Sequence, residues 1–188
     1  MRIQHLNTVS RMFLFALVAM IGIAGGCSTA PKNEAGKESL HEDAMTTMNT
    51  MKREDPSLDE FMSKAHSYVI FPSVGKGGLI AGGAYGRGEV YQGGRMIGYA
   101  DLSQATIGAQ AGGQEFAELI VFESPNALER FKSNKLRFAA DLSAVALKSG
   151  AAKSAKYEDG VAVFTRPTGG LMFEAAIGGQ SFSYRAAE

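Results

Sequence analysis

The chain has no tryptophan, one cysteine, three histidines and five prolines among its 188 residues. A single cysteine excludes an intrachain disulfide framework and a cysteine-cluster metal site. The histidines show no ligand spacing, so we expect no metal and no other cofactor. Net charge is lacking as well, because 19 basic residues balance 19 acidic ones. This balance argues against a nucleic-acid-binding protein, which would carry a basic excess.

The first 26 residues have the pattern of a secretion signal. Arg2 and Arg11 precede the apolar residues 12–24, and two glycines then precede Cys27. An apolar run of 13 residues is shorter than the roughly 20 needed to span a bilayer. Small residues before a lone cysteine resemble the lipobox of bacterial lipoproteins, although Ala24 stands where leucine is usual. The alternative is an ordinary signal peptide that leaves a free thiol.

We therefore expect three segments. Residues 1–26 are predicted to be a lipoprotein signal peptide, residues 27–43 a flexible tether that is acylated at Cys27, for example with palmitate, and residues 44–188 the folded domain. Ser28, rather than aspartate, follows the cysteine. This resembles the pattern that sorts lipoproteins to the outer membrane, so the expected location is its periplasmic face.

Two helices are expected before the main body of the domain. Methionines recur at 45, 48 and 51, which predicts a short amphipathic helix. Its methionines are expected to pack in the core rather than to lie on a membrane. Ser57 and Glu60 form the pattern of a capping box, so a second helix is predicted to begin at Leu58.

Glycine dominates the middle of the chain, with 13 glycines among residues 75–113. Short apolar or alternating segments between the glycines predict strands of about five residues. A strand at 68–71 is expected to end at Pro72, and residues 92–95 are predicted to form a hairpin turn. Ser124 and Pro125 predict the start of a helix. The predicted fold class is α+β: a mainly antiparallel, glycine-rich, twisted sheet or partial barrel with two or three short helices.

Known catalytic and nucleotide-binding patterns do not fit. Around Lys76 the phosphate-loop pattern fails, because Ile70 replaces its first glycine and neither serine nor threonine follows the lysine. Asp101 and Glu115 remain open as a carboxylate pair, although their spacing favours a site no more than surface charge. We therefore expect no catalytic residues and no enzyme activity.

Basic residues cluster at 130–137. Arg130, Lys132, Lys135 and Arg137 lie within eight residues, with Glu129 as the nearby acid. An anionic lipid surface attracts each such group by about 1 kcal/mol, and membrane anchoring raises the effective concentration so that weak attraction is sufficient. The alternative is an ordinary solvated helix face.

Residues 57–188 resemble the SYLF domain, a lipid-binding family that includes yeast actin-binding endocytic proteins. The similar stretches are residues 66–91 (HSYVIFPSVGKGGLIAGGAYGRGEVY), 97–122, 127–132, 138–147 and 160–184. The resemblance is greatest to the bacterial branch of secreted or lipid-anchored proteins. It implies noncatalytic binding of phosphoinositides or other anionic phospholipids, in bacteria phosphatidylglycerol or cardiolipin.

On this resemblance Lys76, within VGKGG, is the best single candidate for headgroup binding, together with the basic cluster at 130–137. Nothing in the chain indicates an actin-binding segment. The alternative function is a structural or protein-interaction lipoprotein of the cell envelope, with an envelope protein as its partner.

Overall fold

The structure is a computed structural model, which describes residues 30–78, 81–107, 113–136, 144–169 and 179–187. Four helices lie in these ranges: α1 (Glu34–Glu54), α2 (Ser57–Ser63), α3 (Pro125–Lys132) and α4 (Ala151–Ser154). The seven strands are β1 (Ser67–Gly78), β2 (Ala81–Gln92), β3 (Arg95–Ile107), β4 (Gly113–Phe122), β5 (Val145–Ala146), β6 (Val161–Gly169) and β7 (Gln180–Ala186).

The strands form one open sheet in the order β5-β6-β4-β1-β2-β3-β7. Every pairing is antiparallel except the short parallel contact between β5 and β6. The predicted α+β class with a mainly antiparallel sheet is confirmed. The described residues contain four helices, three of them of seven residues or more, and α1 is 21 residues long.

The strands are longer than predicted. Pro72 does not end the first strand, because β1 continues to Gly78 across a register shift between Ile70 and Ser73. At such a bulge one residue is left out of the hydrogen-bond ladder, so a proline without an N–H group is tolerated there. The hairpin turn at 92–95 is confirmed, since Gly93 and Gly94 have φ angles of +58° and +76°.

The predicted flexible tether is wrong from Glu34 onward, where α1 begins. Asn33 caps this helix, since its side chain accepts a hydrogen bond of 2.8 Å from the N–H of Gly36. Met48 and Met51 pack in the core as predicted, whereas Met45 is 44% exposed. Apolar periodicity therefore starts only in the second half of the helix.

Asp55, buried between α1 and α2, joins the helices to a distant part of the chain. Its carboxylate accepts hydrogen bonds from the Ser57 N–H (3.1 Å) and hydroxyl (2.6 Å), and from the N–H groups of Gly150 (3.0 Å) and Ala152 (2.7 Å). Burial raises the pKa of Asp55, but these hydrogen bonds hold it below its usual value. The predicted capping box is wrong, because the Ser57 hydroxyl binds Asp55 and α2 has no side-chain cap.

Apolar side chains are buried on both faces of the sheet. One face, which we call the concave face, packs against α3 through the largest cluster, which includes Val69, Phe71, Val74, Leu102, Phe116, Phe131 and Phe182. The other face, the convex face, is covered in part by α1, α2 and α4 through Met48, Met51, Leu58, Leu119, Val121, Ala152 and Phe164.

The sheet curls around the concave face. β4 and β7 are four positions apart in the sheet, which would separate them by about 19 Å if the sheet were flat. Yet the side-chain amide of Gln180 in β7 donates a hydrogen bond of 2.9 Å to Glu118 in β4. Two extended side chains joined in this way place the two Cα atoms within about 13 Å. Consistently, the Phe71 and Phe182 rings are 6.2 Å apart.

Glycine permits the close approach of the paired strands β1 and β2 within this curl. A β-carbon at Gly86 would lie 2.8 Å from the Val74 side chain and 2.9 Å from the Ser73 carbonyl oxygen. At Gly88 it would collide with the Ile70 carbonyl oxygen and the Phe71 ring. Not every glycine has this role, because a β-carbon at Gly75 would meet open space.

We predict that Gly88→Ala destabilises the protein by about 1–3 kcal/mol, because the new methyl group forces the bulge of β1 away from β2. Gly75→Ala is the matched control in the neighbouring strand. It is expected to leave stability unchanged or to raise it by up to about 1 kcal/mol, since alanine is favoured over glycine within a strand. Urea unfolding of both variants measures the difference. Equal stabilities would contradict the close approach of Gly88 to β1.

Candidate functional site

α3 presents the predicted basic cluster at the solvent surface. The helix begins at Pro125, as predicted, and Ser124 caps it by accepting a hydrogen bond from the N–H of Ala127. Arg130 and Lys132 lie in its last turn, where positive side chains interact favourably with the helix dipole. Arg137 lies outside the described residues.

Two of these basic residues have acidic partners. Arg130 donates hydrogen bonds of 2.5 Å to both the side chain and the carbonyl oxygen of Asp159. Lys132 forms an ion pair of 2.8 Å with Glu129, and its ammonium lies 5.7 Å from the centre of the Tyr184 ring. Lys135 is exposed. Asp159 is 29 residues from Arg130, so the local sequence gave no sign of this neutralisation.

Lys76 does not join the basic surface of α3. It lies on β1 in a register row with Ala84, Gln104 and Gln180 on the concave face. Tyr184, beneath Lys132, is four residues farther along β7, about 13 Å in the strand direction. Lys76 is 8% exposed, and burial lowers its pKa. The described residues give its ammonium no ion-pair partner.

A buried polar cluster that the sequence interpretation missed lies on the concave face. Glu118 and Gln180 are hydrogen-bonded to each other, and Thr165 is the direct neighbour of Glu118 across β4 and β6. All three side chains are fully buried, and each has an oxygen atom without a hydrogen-bond partner in the described part of the chain. A glutamate within the apolar run 116–122 was the available signal.

Glu118 is a weak acid in this environment. Burial raises its pKa to about 8, and the hydrogen bond from Gln180 offsets this effect only in part. At neutral pH the side chain therefore carries a proton and no charge. A neutral carboxyl group is compatible with a buried position, whereas an unpaired carboxylate would be costly.

A second missed cluster links α1 to the convex face. Glu89, buried on β2, accepts a hydrogen bond of 2.5 Å from the hydroxyl of Tyr91 and lies 3.0 Å from the Nδ1 atom of His41 in α1. Tyr68 stacks on Tyr91 at 4.9 Å. Burial, followed by the Glu89 carboxylate, raises the pKa of Tyr91. This cluster fixes the first half of α1 to the sheet.

Asp101 and Glu115 do not form a carboxylate pair. They lie on β3 and β4, which are not adjacent because β1 and β2 lie between them in the sheet. Asp101 accepts a hydrogen bond of 3.0 Å from Tyr85, while Glu115 accepts one of 2.7 Å from Ser73. Within the described ranges no group of three or more histidine, cysteine or acidic side chains could hold a metal ion.

A groove of about 330 Å³ opens where the N-terminal segment meets the first half of β3 and the end of β7. We call it the N-terminal groove, and it is lined by Ala30, Pro31, Lys32, Glu34, Lys37, Tyr99, Arg185 and Ala186. Ala30 is buried here and follows Cys27 by three positions in the chain. In the part of the chain that the structure describes, none of the helices has the length and apolar character needed to span a membrane.

We predict that Glu118→Gln removes a pH dependence of stability. The folded pKa lies above the ordinary value of 4.5, so the folded protein retains a proton that the unfolded chain releases. Stability of the native protein therefore falls as pH rises from about 4.5 to about 8, by roughly 1.4 kcal/mol per unit of pKa difference. Glutamine keeps an acceptor for Gln180 and cannot ionise.

Urea unfolding at pH 5 and pH 8 tests this prediction. From pH 5 to pH 8, the free energy of unfolding of Glu118→Gln is expected to rise by at least about 2 kcal/mol relative to that of the native protein. Glu115→Gln, at an exposed glutamate, is the matched control and is expected to show no such gain. Parallel pH curves for the native protein and Glu118→Gln would contradict a buried, protonated Glu118.

Comparisons with known proteins give one distant relationship. No family model matches the chain. The chain is similar to Beta cell expansion factor A of Aeromonas veronii, with 27% identity over 161 residues, and the alignment covers 80% of this chain. It spans 60% of the length of that relative. The chain is thus a distant homologue of Beta cell expansion factor A.

Proposed function

We propose that this protein is a SYLF-like lipoprotein that binds anionic phospholipids without catalysis, at the membrane to which Cys27 anchors it. One observation carries the proposal: the N-terminal segment and the basic residues of α3 meet at the same edge of the sheet. Arg185 lines the N-terminal groove, and the preceding residue, Tyr184, lies beneath the Lys132 ammonium. The first described residues of the chain and the Lys132 amine therefore lie near the same edge strand, β7.

The length of the chain strengthens this argument. The buried Ala30 follows Cys27 by three positions, and three positions span at most about 11 Å. A diacylated Cys27 at the headgroup level would thus hold the edge formed by β3 and β7 next to the lipid surface. The predicted long tether would instead have let the domain rotate freely.

The charge at this edge favours an anionic surface. Lys132, in the last turn of α3, lies over Tyr184 of β7, and the exposed Lys135 follows the helix. Lys32, Lys37 and Arg185 line the groove. Each basic group near an anionic bilayer contributes about 1 kcal/mol. Glu129 and Asp159 weaken the contribution of α3, but an anchored domain needs only weak attraction because its effective concentration is high.

The SYLF resemblance supplies the lipid class and supports a noncatalytic role. The distant similarity to a protein of Aeromonas veronii agrees with a bacterial envelope, where phosphatidylglycerol and cardiolipin would be the ligands. Lys76 remains a predicted headgroup ligand. Because its side chain is buried on the concave face, a headgroup would have to enter that face to reach it.

Vesicle co-sedimentation tests the proposal. The chain from Ser28 onward retains every described residue and lacks the acyl group. It is expected to bind vesicles of phosphatidylethanolamine mixed with phosphatidylglycerol, and to bind severalfold less at high salt, because salt screens exposed charges. Equal recovery with pure phosphatidylethanolamine vesicles, or binding that salt leaves unchanged, would contradict headgroup recognition.

Two further measurements separate anchoring from the alternative function. Labelled palmitate is expected to enter the native protein and not Cys27→Ser, and release of the unlabelled native protein into the medium would contradict the anchor. Crosslinking in the periplasm to one envelope protein, with no preference for anionic vesicles, would instead favour a protein-interaction lipoprotein.

A further inference from the structure

The N-terminal groove concentrates positive charge in a space of about 330 Å³. Three of its lining residues are basic, Lys32, Lys37 and Arg185, and Glu34 is the acid among them. Glu34 forms an ion pair of 2.8 Å with Lys37. The three basic side chains and the one carboxylate give the lining a net charge of +2. The first turn of α1 also lies here, and the partial positive charge of a helix N-terminus adds to the same potential.

We propose that the N-terminal groove binds the phosphodiester of an anionic phospholipid headgroup. This inference rests on the proposed function and assigns its site to the groove rather than to α3 or Lys76. Arginine presents a fork of N–H donors that matches two oxygens of one phosphate, while lysine acts as a compact positive charge. Arg185 and Lys32 supply one group of each kind.

The size and chemistry of the groove select a headgroup over an acyl chain. Its volume is at the lower end of the roughly 300–1,000 Å³ found for small-molecule sites. Charged side chains supply half of its eight lining residues, so an acyl chain would leave those charges desolvated. A phosphodiester with its attached glycerol needs both the charge and the hydrogen-bond donors.

The position of the groove argues for a membrane lipid over a soluble phosphate. Ala30 and Pro31 form part of the lining and follow closely after Cys27. If Cys27 is acylated, the groove lies within about 11 Å of chain from the headgroup layer. Lys76, in contrast, is buried on the concave face.

The test compares two double variants of the chain from Ser28 onward. Lys32→Ala/Arg185→Ala removes two charges from the groove, and Lys148→Ala/Lys156→Ala removes two charges near β5, at the opposite edge of the sheet. Affinity is measured on vesicles of phosphatidylethanolamine with phosphatidylglycerol. The groove variant is expected to bind at least tenfold more weakly than the native chain, and the control at most threefold more weakly. Equal losses would overturn the inference while leaving the proposed function intact.

Failure of the native chain itself to prefer anionic vesicles would overturn both proposals. Thermal unfolding verifies that each variant is folded. If the double variant is not, Lys32→Ala alone replaces it, because Lys32 is exposed and precedes α1. This single variant is expected to bind at least threefold more weakly than either native chain or Lys148→Ala, and equal binding would overturn the inference.

Soluble probes distinguish the two sources of phosphate. Glycerophosphoglycerol is expected to shift the backbone amide resonances of Tyr99 and Arg185, and the groove variant is expected to lose this response. Equal saturation by inorganic phosphate, combined with vesicle binding that the groove variant retains, would identify a site for free phosphate and would overturn the headgroup assignment.

Discussion

The curl of the sheet around its concave face determines how the other elements are placed. Gly86 and Gly88 permit the close approach of β2 to the bulge in β1 within this curl, because a β-carbon at either position would meet the backbone of β1. The curl brings β7 near β4, so that Gln180 reaches Glu118. It also places the edge strand β7 against α3, where Phe182 packs on Phe131 at 5.4 Å. The position of the proposed membrane-facing edge therefore depends on this curl, which the glycines of β2 permit.

The packing of α1 makes the N-terminal segment part of the domain. Its second half is held by apolar contacts, and its first half by the cluster of His41, Glu89 and Tyr91. Asp55 then joins the end of α1 to residues 150–152 through buried hydrogen bonds. Because α1 cannot move freely, the few residues between Cys27 and Ala30 decide which edge of the domain an acyl anchor would hold at a membrane. The proposed lipid contact follows from this geometry more than from the number of basic residues.

Local signals in the sequence were sufficient for the fold class, the hairpin at 92–95 and the start of α3 at Pro125, because each depends on neighbouring residues. Features that depend on distant contacts were missed. Pro72 lies in a bulge in the pairing of β1 with β2 and β4, and residues 34–43 lack an apolar stripe although contacts with the sheet hold them in a helix. The predicted basic cluster was incomplete for the same reason, since Asp159 reaches Arg130 only through the fold. Glu118 was detectable as a charge within an apolar run, but its proton and its bond to Gln180 depend on the curl.

Paramagnetic broadening of amide resonances would measure which end of the domain approaches the bilayer. Vesicles of phosphatidylethanolamine and phosphatidylglycerol with a gadolinium-chelating lipid broaden the amide resonances of residues close to the surface. We expect strong broadening at Tyr99 and Arg185 and little at Gly75 and Glu115, which lie toward the other end of the strands. Stronger broadening at Gly75 and Glu115 than at Tyr99 and Arg185, or equal broadening at all four, would contradict the proposed orientation.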